Sequence, residues 1–132
     1  MSAAEIELIL PADDAFRRVA HLVLGGLATR HDLTVETLED LTLALDAVLG
    51  RLDDGGDDVT VRMKVGDEDV STEVGPFRDL DVRGELASGS EDAIDLRRIL
   101  SAVCDEVSVV ERGGSQWIEM TKKVERVEGD AA

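Results

Sequence analysis

The chain has 132 residues, of which 43% are hydrophobic and 33% are charged, and its formal net charge is −16 at pH 7. This length and apolar content predict one folded domain and exclude an acidic disordered chain. The charge argues against nucleic acid and against an anionic membrane as partners, because both kinds of binding depend on Lys and Arg.

Local signals predict a strand followed by a helix at the start of the chain. Residues 5–10 alternate loosely between polar and apolar and end at Pro11, as a strand would. Asp13 or Asp14 is the predicted cap of a first helix, since a short acidic side chain can accept a hydrogen bond from the first turn. The predicted buried stripe of this helix comprises Phe16, Val19, Ala20, Val23 and Leu27.

A second helix is predicted with Thr34 as its N-cap and Glu36 in its first turn, where a negative charge is favourable. It ends in the acidic, glycine-containing turn at residues 53–58. Apolar side chains recur at steps of three and four, which indicates one buried helical face. That face comprises Leu38, Leu41, Leu45, Val48 and Leu52.

Two strands and a long connection are predicted next. Residues 59–65 alternate between apolar and polar side chains, and a tight turn leads to a hairpin partner at residues 70–74. Residues 75–90 show no periodicity, and a connection of this length is often functional. A capping box at residues 88–91 then begins a third helix, with apolar residues Leu96, Ile99, Leu100 and Val103.

The last predicted elements are two strands, residues 107–110 and 117–124, joined by a Gly113-Gly114 turn. The element order predicts an α+β fold, a two-layer α/β sandwich whose mixed, mostly antiparallel sheet carries helices on one face. Residues 1–124 are predicted to form the single domain, and residues 125–132 a flexible C-terminal tail.

The number of cysteines and the N-terminal residues indicate the cellular compartment in which we expect the protein. Cys104 is the only cysteine, so no intrachain disulfide forms, and we expect it to pack as a small hydrophobe. The N-terminal residues lack the basic region of a signal peptide, and no apolar run is long enough to span a membrane. We therefore expect a cytoplasmic protein with no membrane partner.

Asp46 is an acid inside the apolar pattern of the second helix, and Gly50, a poor helix former, follows one turn later. An acid and an irregular position one turn apart are typical of a nucleotide-binding helix. Two other interpretations remain open, namely that Asp46 is a solvated residue at the edge of the buried face and that Gly50 begins the helix end. The net charge also has two interpretations, because it favours both solubility and association with a basic protein.

The element order and two segments, residues 14–27 (DAFRRVAHLVLGGL) and 96–124 (LRRILSAVCDEVSVVERGGSQWIEMTKKV), carry a family resemblance. The chain resembles the GHKL, or Bergerat, ATP-binding fold, and in particular the bacterial anti-sigma-factor serine kinases that control stress and sporulation sigma factors. The resemblance covers nearly the whole chain. It implies the histidine-kinase-type ATPase fold, ATP and Mg²⁺ as cofactors, a sigma factor and an anti-sigma-factor antagonist as partners, and a homodimer.

By this resemblance Asp46 matches the general base, and Gly50 replaces the family's metal-binding Asn. Glu73 and Gly75 match the pair that recognises adenine, and Ser115 matches a hydroxyl after the Gly-Gly turn. Each of these residues also has an ordinary structural interpretation: Glu73 as an outward-facing strand acid, Gly75 as the end of a strand, and Ser115 as a turn residue.

The family's phosphate-binding glycines correspond to Ile94 and Leu96, whose side chains obstruct close approach of the backbone to a phosphate. Gly50 has no side chain with which to bind a metal, so we expect no metal site and no bound cofactor. The resemblance then predicts an anti-sigma-factor-like regulator that acts by protein binding. The alternative is an active ATP-dependent serine kinase that phosphorylates an anti-sigma-factor antagonist.

Arg17 and Arg18 lie on the first helix of this very acidic chain. In the family that the chain resembles, an Arg in this region contacts the sigma factor, and the alignment favours Arg18. Arg forms bidentate pairs with carboxylates and is enriched at binding hot spots. The alternative is that both arginines are surface charges on an amphipathic helix.

Overall fold

The computed structural model describes residues 4–51, 56–77, 84, 89 and 91–127, without the side chains of 92–94. Its elements are β1 (Ala4–Ala12), α1 (Asp14–Arg30), α2 (Val35–Leu49), β2 (Gly56–Val65), β3 (Asp69–Phe77), α3 (Glu91–Val103), β4 (Glu106–Arg112) and β5 (Ser115–Lys123). Among the described residues, no helix is both long enough and apolar enough to cross a membrane.

The strands form one five-stranded sheet in the order β1-β2-β3-β5-β4. Each described pairing is antiparallel, so the sheet lacks the parallel pair that a mixed sheet would contain. The helices cover one face, and the predicted α+β two-layer sandwich is confirmed. Both predicted hairpins are present, β2 with β3 and β4 with β5. The turn of the second hairpin contains Gly113 and Gly114, both at positive φ, where glycine is favoured.

The core lies between the inner face of the sheet and α2. Val61, Val74 and Ile118 from three neighbouring strands are at most 1% exposed, and Leu45 and Val48 of α2 are buried in the same cluster. Burying a side chain of this size contributes about 1.5–3 kcal/mol relative to leaving it exposed. This apolar contact fixes which face of the sheet the helices cover.

Helix α1 is rotated relative to its predicted orientation. Its N-cap is confirmed, because Asp13 accepts a hydrogen bond from the backbone N–H of Ala15 at 2.9 Å. The predicted burial of Phe16 and Val19 is wrong, since they are 41% and 37% exposed. The buried positions are Ala20, Leu24, Leu27 and Ala28. Large apolar side chains were expected at the buried positions of α1. The helix packs partly through alanines instead, whose small size permits close approach to the neighbouring elements.

The limits of α2 follow from local capping. Thr34 accepts a hydrogen bond from the backbone N–H of Thr37 at 3.1 Å, so the predicted N-cap is confirmed. The helix ends at Leu49, and the N–H of Gly50 donates to the carbonyl of Asp46 at 2.8 Å. Leu52, the last residue of the predicted buried face, lies outside the described residues.

Strand β3 is longer than predicted. It continues through Gly75 and Pro76 to Phe77, so the predicted connection at residues 75–90 begins too early. Gly75 pairs with Thr60 of β2, and the pairing with β5 is irregular between Val74 and Phe77. An irregularity of this kind accommodates Pro76, which has no N–H to donate to a sheet. The predicted capping box at residues 88–91 falls largely outside the described residues.

Residues 124–127, here called the C-terminal strap, follow β5 and form hydrogen bonds with parts of the chain that are distant in sequence. The N–H of Thr34 donates to the carbonyl of Glu125 at 3.0 Å. The guanidinium of Arg126 donates to three carbonyl oxygens, those of His31 (3.1 Å), Gly66 (2.9 Å) and Asp67. The strap thus joins the loop between α1 and α2 to the β2–β3 turn, and it includes the first three residues of the predicted tail at 125–132.

We expect Arg126→Ala to lower the free energy of unfolding by about 1–2 kcal/mol. Hydrogen bonds from a charged donor contribute about 1.5–3 kcal/mol each when buried and less when part-exposed, as here. Urea unfolding monitored by circular dichroism measures the change. Arg98→Ala, at an exposed position of α3, is the matched control and should change stability by less than about 0.5 kcal/mol. Equal effects for the two variants would show that the hydrogen bonds of the Arg126 guanidinium contribute nothing to stability.

Candidate functional site

The sheet face that points away from the helices, here called the open face, carries a row of charged residues. Side chains alternate between the two faces of a strand, so the neighbours of the buried valines point outward. In the strand register Glu7 lies opposite Arg62, Arg62 opposite Glu73, and Glu73 opposite Glu119. Four adjacent strands therefore contribute to one line of charges.

These charges form a connected network of ion pairs. Arg62 lies 2.8 Å from the carboxylate of Glu7 and 3.6 Å from that of Glu73. Arg112 pairs with Glu73 and lies 3.6 Å from Glu119. The side chain of Glu73, between both arginines, is only 16% exposed. The hydrogen bond to Glu7 raises the pKa of Arg62, so its charge is held throughout the physiological range.

Trp117 lies at the centre of this network. The guanidinium carbons of Arg62 and Arg112 are 5.6 Å and 6.0 Å from the centre of its ring, within the range of cation–π attraction. Gly75 leaves space for the indole, because a Cβ at that position would lie 2.6 Å from Cδ2 of Trp117. The glycine is therefore required by packing, independently of any adenine.

The structure brings together the three residues that match the nucleotide-binding positions. Glu73 and Gly75 share the open face with Trp117. Ser115 lies two residues before Trp117 on β5, so it belongs to the same face of the sheet. Ser115 pairs with Arg112 directly after the glycine turn. Their surroundings are an arginine–glutamate network and an indole, and each also fits its ordinary structural interpretation.

Asp46 lies on the other side of the sheet. Its Oδ1 is 2.8 Å from Nε2 of His21, so the pair joins α2 to α1 in the helical layer. Among the described residues, no third side chain forms a hydrogen bond with this pair. The structure thus places Asp46 in the helical layer and Glu73 on the open face, with the sheet between them. His21 was not predicted, since its partner is 25 residues away and no local pattern links them.

Two of the positions expected for metal and phosphate, Gly50 and Leu96, have structural roles. Gly50 ends α2 at a φ of −65°, which any residue adopts. Leu96 is 6% exposed and packs in the hydrophobic core, while the side chain of Ile94 lies outside the described residues. Among the described residues, no three His, Cys, Asp or Glu side chains are grouped so as to bind a metal ion.

Cys104 packs partly buried against the core. Burial raises the pKa of its thiol to about 11, although the nearby Lys122 acts in the opposite direction. Because the thiolate is the nucleophilic form, this thiol is a poor nucleophile at neutral pH. Lys122 pairs with Asp40 at 2.9 Å, and this hydrogen bond raises the pKa of the lysine.

The two arginines of α1 differ in their surroundings. Arg17 pairs with Asp14 one turn earlier, whereas Arg18 is exposed and has no ion pair with any described residue. Beside Arg18, α1 presents an exposed apolar surface, here called the α1 stripe, that comprises Phe16, Val19 and Leu22. Leu22 is 71% exposed. Among the described residues, Arg17 thus has a local ion-pair partner and Arg18 has none.

Three residues of the open-face network, Arg62, Arg112 and Trp117, were not predicted as part of a site. The alternation of β2 and β5 could have placed Arg62 and Trp117 outward, but their proximity depends on the strand order. No family model and no curated protein sequence matches this chain.

We expect Gly75→Ala to lower the free energy of unfolding by about 1–3 kcal/mol, because the new Cβ forces Trp117 out of its position. Thermal or urea unfolding measures the change. Gly26→Ala is the matched control, because a Cβ at that α1 position meets open space, and it should stabilise by up to about 1 kcal/mol. A Gly75→Ala variant that is no less stable than the unaltered chain would contradict the packing role of Gly75, as would failure of Trp117→Leu to reduce the cost of Gly75→Ala.

Proposed function

We propose that this chain is an anti-sigma-type regulator of transcription that binds its partner protein through α1 and requires no nucleotide. The partner would be a sigma factor, and a second protein, an antagonist, would compete with it. The sequence resemblance supplies the class of partner, and the α+β sandwich is compatible with that class. The surface chemistry of α1 supports the mode of binding.

The observation that carries the proposal is the α1 stripe beside Arg18. Phe16, Val19 and Leu22 are spaced by three residues along one side of the helix and remain exposed. Exposed apolar groups beside an unpaired arginine are the composition typical of binding hot spots. Helix α1 also differs from the rest of the acidic surface, since its ionisable residues include Arg17, Arg18 and Arg30 against Asp14.

The separation of the nucleotide-matching residues supports a role without nucleotide. In-line phosphoryl transfer requires the general base, the metal ligands and the phosphate-binding backbone around one γ-phosphate. Here Asp46 pairs with His21 in the helical layer, while Glu73 pairs with Arg112 on the open face. Gly50 offers no ligand to Mg²⁺. A protein-binding function needs none of these groups.

Regulation would proceed by occlusion. An apolar segment of the sigma factor would cover the α1 stripe, and a carboxylate beside that segment would pair with Arg18. The surrounding negative charge would speed the approach of a sigma factor, whose DNA-binding surface is basic. Once seated, the sigma factor would be unable to present the covered surface to RNA polymerase.

The test is calorimetric titration of the organism's sigma factors with this chain in buffer that contains no nucleotide. A complex is expected, and Leu22→Glu and Arg18→Glu should each weaken it at least about tenfold, or 1.4 kcal/mol. The matched controls are Leu43→Glu on α2, where the leucine is 53% exposed, and Arg98→Glu on α3. Neither control should change the affinity.

Three results would contradict the proposal. The first is that no sigma factor binds. The second is a complex that forms only with ATP and Mg²⁺, accompanied by phosphorylation of an antagonist, which would favour the serine kinase. The third is equal weakening by Leu22→Glu and Leu43→Glu, which would exclude α1 as the contact.

A further inference from the structure

Strand β1 lies at one edge of the sheet, and among the described residues it pairs only with β2. The direction of its backbone groups follows from the β2–β3 turn, where the N–H of Gly66 donates to the carbonyl of Asp69 at 2.8 Å. Backbone groups alternate in direction along an antiparallel ladder. The even-numbered residues of β2 therefore bond toward β3 and the odd-numbered ones toward β1, where their partners are the even-numbered residues of β1.

The odd-numbered residues of β1 consequently direct their N–H and C=O groups away from the sheet. These residues are Glu5, Glu7 and Ile9, here called the β1 edge. Their outward backbone groups form no hydrogen bond with any described residue. Pro11 continues the same series, so the N–H that it lacks falls on the side where the β1–β2 ladder needs no donor. An edge of this kind is a template for pairing with a further strand.

The side chains along this part of β1 alternate between acidic and apolar. Glu5 and Glu7 lie on the open face and are 52% and 47% exposed. They share one guanidinium, that of Arg62, which lies 3.8 Å from Glu5 and 2.8 Å from Glu7, so an excess of negative charge remains. Ile6 and Leu8 point toward the helical layer and are only partly buried against the core. A further strand beside β1 would complete their burial.

We propose that the β1 edge binds an extended, basic segment of a partner protein as a sixth, antiparallel strand of the sheet. The backbone of the segment completes the hydrogen bonds of Glu5, Glu7 and Ile9. Residues directly opposite each other in an antiparallel pair share a face of the sheet. Lys or Arg side chains of the segment therefore lie opposite the two glutamates, and apolar side chains lie opposite Ile6 and Leu8.

The charge of the chain favours this occupant over a second copy. Each copy carries a net charge of −16, so joining two β1 edges would bring two strongly acidic molecules together, whereas a basic segment is attracted. The proposal does not rest on the α1 function, because it uses outward backbone groups of a strand, and a helix such as α1 offers none along its length. Either surface can therefore fail its test without affecting the other.

The probe is a synthetic peptide of about nine residues, the length of β1, in which Lys and Val alternate. Two N-methylated forms are matched controls, because N-methylation removes backbone donors and keeps the charge and the side chains. In the proposed pairing the Lys N–H groups point toward β1 and the Val N–H groups point away from it. We expect N-methylation of the Lys residues to weaken binding at least about tenfold, and N-methylation of the Val residues to change it by less than about twofold.

Amide hydrogen exchange of the full chain, followed by NMR, locates the bound peptide. The amides of Glu5, Glu7 and Ile9 should exchange at least about fivefold more slowly at saturating peptide, because they acquire acceptors. The amides of Ile6 and Leu8 already bond to β2 and should change less. Added salt should weaken binding, since the lysine–glutamate contacts are ionic and exposed.

Two variants of one residue test the same contact from the side of the chain. Ile9→Pro removes an outward donor and keeps the β1–β2 ladder, so it should weaken peptide binding at least about fivefold. Ile9→Ala keeps the N–H and should bind within about twofold of the unaltered chain. Circular dichroism verifies that both variants fold, and the N-methylated peptides give the same test on the unaltered chain.

Three results would overturn the proposal. Equal affinity of the three peptides, or no binding at millimolar peptide, would show that strand pairing contributes nothing. Slowed exchange confined to the helices or to β4 would place the peptide elsewhere. Slowed exchange of Glu5, Glu7 and Ile9 that rises with protein concentration in the absence of peptide would identify a second copy as the occupant.

Discussion

The structure depends on burial of one face of a single antiparallel sheet beneath α2. Val61 and Val74 point into the core beneath Leu45 and Val48, so their chain neighbours Arg62 and Glu73 must point outward. Because strand alternation has a period of two, a slip of one residue would bury the charged row and expose the valines. The core therefore fixes both the fold and the composition of the open face.

Elements that rest on local chemistry were predictable from sequence. The Thr34 cap, the two hairpins and the Gly113-Gly114 turn each follow from residues within a few positions of one another. The orientation of α1 was not predictable, because it depends on which side chains meet α2. The strap was missed because Arg126 binds main-chain oxygens far away in sequence, and carbonyls leave no pattern in the side chains.

The candidate site was likewise predictable only where it depends on local sequence. The outward direction of Glu73 follows from alternation along β3, whereas its contact with Arg112 requires β5 to pair with β3 and β4 to pair with β5. The meeting of Asp46 and His21 likewise depends on the packing of two helices. The sequence resemblance placed catalytic roles on single positions, but only the fold decides which positions can act on one ligand.

Two surfaces of different character remain exposed on opposite layers. The α1 stripe lies beside Arg18, which forms no ion pair with any described residue, and the open face carries Trp117 beneath the guanidiniums of Arg62 and Arg112. Neither surface depends on a phosphate-binding loop or on a metal for its structure.

The most direct test of this account is titration of the chain with ATP and Mg²⁺, followed by calorimetry and by amide shifts. The account predicts no saturable heat at millimolar ATP and no shifts around Asp46, with Asp46→Asn giving the same trace as the unaltered chain. Micromolar binding that is lost in Asp46→Asn would contradict it, because Asp46 would then belong to a working nucleotide site.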